Sequence, residues 1–140
     1  MKFRQDIFNF KMKRTLAIGD IHGAYKALIQ VLERAAITSE DTLIFLGDYV
    51  DGWSESAQVI NYLIELQKKY SCIFIRGNHD AWCANWLKGE ATDRMWLSSG
   101  GKSTINSYYS LTQEEKINHL VFFNNMINIF CKSFFIQQEV

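Results

Sequence analysis

Proline is absent from all 140 residues, where a globular chain of this length ordinarily carries about 5%. No linker, repeat or low-complexity segment accompanies that absence, and it carries no functional reading of its own. Cysteine is nearly as scarce: Cys72, Cys83 and Cys131 are odd in number, widely spaced and free of any CxxC pair. That excludes a disulfide framework and a zinc-thiolate site, and it fits a reducing, cytoplasmic setting. Net charge is zero, so no global field points to nucleic acid or to an acidic membrane surface. Long apolar runs are missing too. The first fifteen residues hold no apolar signal core, and the most apolar late stretch, Val121 to Ile136, is broken by Asn124, Asn125, Asn128 and Lys132. It falls short of the roughly 20 residues that a spanning helix needs. The sequence therefore reads as a soluble protein with no membrane or nucleic-acid partner.

What is present is a globular composition, 48% apolar and 21% charged. The length suits one domain, large enough to bury about two thirds of its unfolded surface. Lys2, Arg4, Lys11, Lys13 and Arg14 face only Asp6 at the start. We read residues 1–13 as a basic leader, with Met12 as a second candidate start, and residues 14–140 as the domain.

Strand and helix patterns alternate. Thr15–Ile18 is a short apolar run closed by Gly19. Ala24–Ala36 carries Leu28, Val31, Leu32 and Ala35 at helical spacing. Thr42–Leu46 is a second apolar run, closed by Gly47. Ser54 is a candidate cap for a helix reaching about Lys69, with Val59, Ile60, Leu63 and Leu66 as its stripe. Cys72–Ile75 is the third run. Runs joined by helices of this length predict β-α-β units, right-handed crossovers and a mostly parallel sheet. Trp82, Trp86, Met95 and Trp96 then suggest a helical region rich in aromatic packing. Lys102–Tyr109 reads as a short helix, Thr112–Glu115 as a capping box opening a helix to about Asn125, and Ile127–Ile136 as a strand or strand pair.

Each predicted strand runs into a polar motif: Gly19-Asp20-Ile21-His22-Gly23, then Gly47-Asp48-Tyr49-Val50-Asp51-Gly52, then Arg76-Gly77-Asn78-His79-Asp80. In open parallel sheets ligands bind beyond the carboxyl ends of the strands, which is where all three motifs fall. Asp20 and His22 project to one side of an extended segment and can share an ion. Asp48 can give one oxygen to each of two ions, and Asn78 a neutral oxygen. Oxygen and imidazole donors without thiolate suit Mn, Fe or Zn. Two ions about 3.5–4 Å apart can hold a hydroxide between them and clamp both the attacking and leaving oxygens of a phosphoryl displacement. His79 is placed to protonate the leaving oxygen, Asp51 to hold its imidazole in one tautomer, and Arg76 to fork onto phosphate. Taken singly, the motifs could be a turn with a satisfied histidine, solvated turn carboxylates, and a helix cap at Asn78. Their order, each after a strand, argues against coincidence.

With GDIHG, GDYVDGW and RGNHD in order, the chain resembles the calcineurin-like metallophosphoesterases, and within them the serine/threonine protein phosphatases and their small bacterial relatives. The resemblance covers about Lys13 to Asn125. It implies an α/β/β/α sandwich and a hydrolase acting on phosphomonoesters. Asp20, His22 and Asp48 would bind the first of two divalent ions, Mn²⁺ foremost, with Asp48 bridging; Asn78 would bind the second. His79 would be the general acid, supported by Asp51, and Arg76 would contact phosphate. The implied substrate is a phosphoprotein, a dinucleoside polyphosphate or a small phosphate ester. The family's arginine after the second aspartate is replaced by Gly52. Two further family histidines for the second ion have no match, because His119, the one histidine left, reads as a helix-surface residue. We therefore expect a sandwich whose second sheet is largely missing, cut short or frame-shifted near Asn125–Asn128, with an uncovered apolar face that a homodimer could bury. The alternative function is a remnant that binds one metal or phosphate without turnover; an α/β binding module with incidental acidic strand ends is the third reading.

Overall fold

The computed structural model describes residues 13–128. The three apolar runs form strands β1 (Thr15–Ile18), β2 (Thr42–Phe45) and β3 (Ser71–Phe74), in parallel order β1-β2-β3. Thr15 pairs with Thr42 and Thr42 with Ser71, so Ile18, Phe45 and Phe74 line up across the sheet. Helices α1 (Tyr25–Arg34) and α2 (Ser56–Leu66) make the crossovers, as the alternation of strand and helix patterns predicts. α1 buries Leu28 and Leu32; α2 buries Val59, Ile60, Leu63 and Leu66. The α2 boundary differs from the sequence reading. Ser54 does not cap it. The chain turns through positive φ at Asp51 and Gly52, and the helix starts at Ser56, whose hydroxyl accepts from the Asp51 N–H.

Beyond β3 lie α3 (Asn78–Leu87), a short turn α4 (Arg94–Trp96) running through a π-turn at Leu97–Gly101, α5 (Lys102–Ser107) and α6 (Gln113–Asn124). The Thr112–Glu115 capping box is formed at the start of α6: the Thr112 hydroxyl accepts from Glu115 N and Glu115 accepts from Thr112 N. The Phe122 ring of α6 meets Phe74 edge-on at 4.8 Å, and Phe74 stacks on Phe45 at 5.1 Å. Parallel register puts Leu43, Phe45 and Phe74 on this helix-covered face, and all three are buried. On the other face none of Thr15, Ala17, Thr42, Ile44, Ser71 or Ile73 is buried, and Leu46 is 49% exposed. The described residues thus hold one sheet with one covered face, and no second sheet.

Arg14, read as part of the basic start, belongs to the fold. Its guanidinium forks onto Asp41 at 2.6 and 2.9 Å and donates to the Ala35 and Ala36 carbonyls. The leader before it lies outside the described residues save for Lys13. After α6, Ile127 forms a parallel bridge with Ile75; the remainder of the expected Ile127–Ile136 strand lies outside the described residues from Ile129 onward. Cys72 and Cys83 are free thiols. Among the described residues no helix is long and apolar enough to cross a membrane.

Candidate metal centre

The three strand ends meet in one crevice. Ile21 N and His22 N both donate to the Asp48 carbonyl, and Gly23 N donates to that of Tyr49, so the first motif is stitched to the second along its backbone. The third motif is joined to the second through Asp80. Its buried carboxylate accepts from Gly77 N at 2.8 Å, Asp48 N at 2.8 Å and Tyr49 N at 2.9 Å. Burial pushes the Asp80 carboxyl up to about 6, against the pull of those three donors. The Tyr49 hydroxyl adds a tie, donating to the Ile75 carbonyl at 2.7 Å. Gly77 is required here for space: a Cβ on it would come within 2.0 Å of Asp48 Oδ1.

Within this frame, single ligand atoms of His22, Asp48 and His79 lie within 4.8 Å of one another. His22 Nδ1 donates to the Val50 carbonyl at 3.1 Å, which leaves Nε2 bearing a lone pair. Asp20 reaches this group from its edge, its Oδ2 3.8 Å from His22 Nε2 and its side chain 64% exposed. Asn78, the first residue of α3, is exposed; Gly77 occupies the cap position, so Asn78 is not the cap. The donor set of His22, Asp48 and Asp20 is imidazole and carboxylate without sulfur. It fits one Mn, Fe or Zn ion.

His79 stands on the other side of the group. Its Nδ1 lies 2.6 Å from Asp51 Oδ2, and Asp51 is 0% exposed. Two further donors meet the Asp51 carboxylate: Trp96 Nε1 at 2.7 Å on Oδ2 and the Thr104 hydroxyl at 2.6 Å on Oδ1. Nδ1 being committed, Nε2 is the nitrogen left for a reacting group. The sequence reading named Asp51 and His79 but missed Asp80, Trp96 and Thr104. Asp80 had a local signal, a carboxylate three residues beyond a glycine at a helix start. Trp96 and Thr104 are 45 and 53 residues from Asp51 and had none.

Two expectations change. His119 is no surface histidine. It is 0% exposed, with Nδ1 2.8 Å from the Tyr108 hydroxyl and Nε2 2.7 Å from Asn61 Oδ1. Burial holds its imidazole down, to about 4. It takes no part in the group of His22, Asp48 and His79. Arg76, expected on phosphate, directs one guanidinium nitrogen to the Phe123 carbonyl at the end of α6, while its buried Nε has no partner among the described residues.

The sequence profile of the family described as calcineurin-like phosphoesterase matches residues 13–135. Among solved structures, a metallophosphoesterase from Sphaerobacter thermophilus aligns with 84% of this chain and 42% of its own, at 22% identity and a TM-score of 0.57. A candidate diadenosine tetraphosphatase aligns over 80% and 42%, at 23% identity and a TM-score of 0.56. A serine/threonine phosphatase from Saccharomyces cerevisiae aligns over 80% and 32%, at 18% identity and a TM-score of 0.55. At such identities the likeness is one of fold. The chain spans less than half the length of these structures.

Proposed function

The chain belongs to the calcineurin-like phosphoesterase family, and from that premise we propose that it hydrolyses phosphate monoesters with the aid of divalent metal, His79 giving a proton to the leaving oxygen. The observation that carries the proposal is the 2.6 Å contact between His79 Nδ1 and the buried Asp51 carboxylate, beside the His22 and Asp48 ligand atoms. His22, Asp48 and Asp20 would hold the first ion, Mn²⁺ by preference. Asp48 and Asn78 offer oxygens to a second. Bound metal supplies Lewis-acid polarisation of the phosphoryl group and a more acidic water.

The chain's own residues do the rest. The Val50 carbonyl fixes the His22 tautomer, so Nε2 would be the nitrogen free to ligate an ion. Asp80 keeps the Asp48 and Asn78 loops at one spacing, which sets the distance between donors. Asp51 orients the His79 ring, so Nε2 can place its proton on the departing oxygen, a contribution of about 10²–10⁴ in rate. One guanidinium nitrogen of Arg76 is taken by the Phe123 carbonyl, so a phosphate contact would fall to the other.

Phosphoprotein, dinucleoside polyphosphate and small phosphate esters all suit such a site, and the names of the aligned structures support the first two. The second reading is a one-metal binder without turnover. It is favoured by the donor count, since among the described residues the second ion finds only Asp48 and Asn78. Hydrolysis of an alkyl phosphate, whose leaving oxygen needs a proton, with and without Mn²⁺, in wild type and His79→Ala, decides between them. We expect metal-dependent turnover that falls at least about 100-fold in the variant. One equivalent of bound Mn²⁺ with no turnover would establish the binder instead.

A further inference from the structure

A buried carboxylate needs its oxygens partnered, because a charge removed from water without hydrogen bonds costs several kcal/mol. Asp51 has one partner in the reacting crevice, His79; the others come from the far end of the chain. The Thr104 hydroxyl donates to Oδ1 at 2.6 Å and accepts from Asp51 N at 2.9 Å, so a single side chain grips both the carboxylate and the backbone of Asp51. The Ser56 hydroxyl accepts from the same N–H at 3.0 Å and lies 2.9 Å from that of Thr104. Trp96 Nε1 shares Oδ2 with His79. Trp96 and Thr104 are 1% and 0% exposed.

The segment joining them is shaped to make this approach. Gly100 sits at φ +104, and a Cβ on it would lie 2.7 Å from Gly52 N and 3.3 Å from Asp51 Cβ. A Cβ on Gly101 would strike the Trp96 ring at 2.6 Å. The two glycines let the π-turn press its backbone onto Asp51-Gly52 while folding the indole underneath. The stretch Trp96-Leu97-Ser98-Ser99-Gly100-Gly101-Lys102-Ser103-Thr104 thus closes over one aspartate.

From this geometry we infer that Trp96 and Thr104 are positioning residues for proton delivery: they hold the Asp51 carboxylate in the one orientation that aims the His79 ring. The inference rests on the phosphoesterase reading for its kinetic consequence and on geometry alone for its structural one. Without the Thr104 hydroxyl, Oδ1 is orphaned in a site closed to water, and the carboxylate is free to rotate about its Cβ–Cγ bond. Without the indole N–H, Oδ2 loses the donor that fixes its second lone pair. Either change leaves the metal ligands untouched. A poor leaving group needs a proton to depart and a good one hardly does, so the loss of rate depends on the substrate.

The test uses the full chain and four proteins: wild type, Thr104→Val, Thr104→Ser and Trp96→Phe, with thermal melting to establish that each is folded. In metal-free protein, ¹H–¹⁵N spectra report the His79 Nδ1–H proton, assigned by its loss in His79→Ala. We expect a hydrogen-bonded resonance in wild type and Thr104→Ser, and its loss or broadening in folded Thr104→Val and Trp96→Phe. With Mn²⁺, kcat for an alkyl phosphate should fall about 10–100-fold in those two variants, against about threefold or less for p-nitrophenyl phosphate, with Thr104→Ser restoring the difference. A structural role would lower both substrates alike. No such resonance in wild type, an unchanged one in folded Thr104→Val, or equal losses on both substrates overturns the inference. If wild type hydrolyses no phosphate ester, the phosphoesterase reading fails, and the spectra alone decide the positioning claim.

Discussion

The two halves of the crevice are built differently. Around His79 every partner is in place: Asp51 is buried, its two oxygens take three donors, and Trp96 and Thr104 come from segments packed beneath it. Around Asp20 and Asn78 little is fixed. Asp20 is 64% exposed with one 3.8 Å contact to His22, and Asn78 is exposed. Packing by the chain itself sets the proton-donating half before anything binds. The ligand half is set only as far as Asp48, whose backbone Asp80 holds, and an ion must draw in the remainder. On the proposed mechanism, preorganisation is concentrated where a proton would move, and freedom is left where a cation would supply its own ordering energy.

The largest break in that contrast should come from Asp51→Asn. A neutral amide can keep the hydrogen bonds but brings no negative charge to the His79 imidazole, so we expect kcat to fall about 10³-fold with KM little altered, read by steady-state kinetics. Next comes Gly77→Ala, which drives a Cβ to within 2.0 Å of Asp48 Oδ1. Chemical denaturation should show a loss of about 3 kcal/mol, with weakened Mn²⁺ binding, because the clash falls on the one well-fixed residue of the ligand half.

A comparable effect lies outside the crevice, in the buried His119, and depends on pH. The His119 imidazole is lowered from 6.5 to about 4 by burial, so the folded protein binds its proton less readily than the unfolded chain does. Its contribution is complete above pH 6.5 and is lost as pH falls toward 4, on the order of 3 kcal/mol in all. Urea melts across that window should show the decline, and His119→Gln should flatten it. On the open half, saturating Mn²⁺ at about 100 times Kd should stabilise the protein by about 2.7 kcal/mol, a shift that Asp48→Ala should remove.

The sheet was legible because each strand is a short apolar run with a glycine within a few residues of its end, and α1 because Leu28 and Leu32 recur at helical spacing, although Val31, read on the same face, is 50% exposed. The grouping of His22, Asp48 and His79 and the His79–Asp51 contact were legible because these residues lie within three short motifs. What escaped notice depends on contacts distant in sequence. Nothing near Trp96 says that its N–H reaches Asp51, 45 residues away. His119 sits among polar neighbours in α6, and its burial depends on Asn61, 58 residues back, and Tyr108. Arg76 is an arginine beside a metal motif, yet the end of α6 takes it. The Ser54 cap failed because the chain turns through positive φ at Asp51 and Gly52 and the cap position falls one residue later, on Glu55, whose side chain makes no capping hydrogen bond.

Mn²⁺ titration of Asp48→Ala beside Asp51→Asn, followed by electron paramagnetic resonance with turnover measured on the same samples, tests the division of the site most directly. The two halves predict opposite failures. Asp48→Ala should lose Mn²⁺ binding and activity together, while Asp51→Asn should bind Mn²⁺ within about threefold of wild type and yet turn over about 10³-fold more slowly. Loss of Mn²⁺ from Asp51→Asn, or full binding by Asp48→Ala, would contradict it.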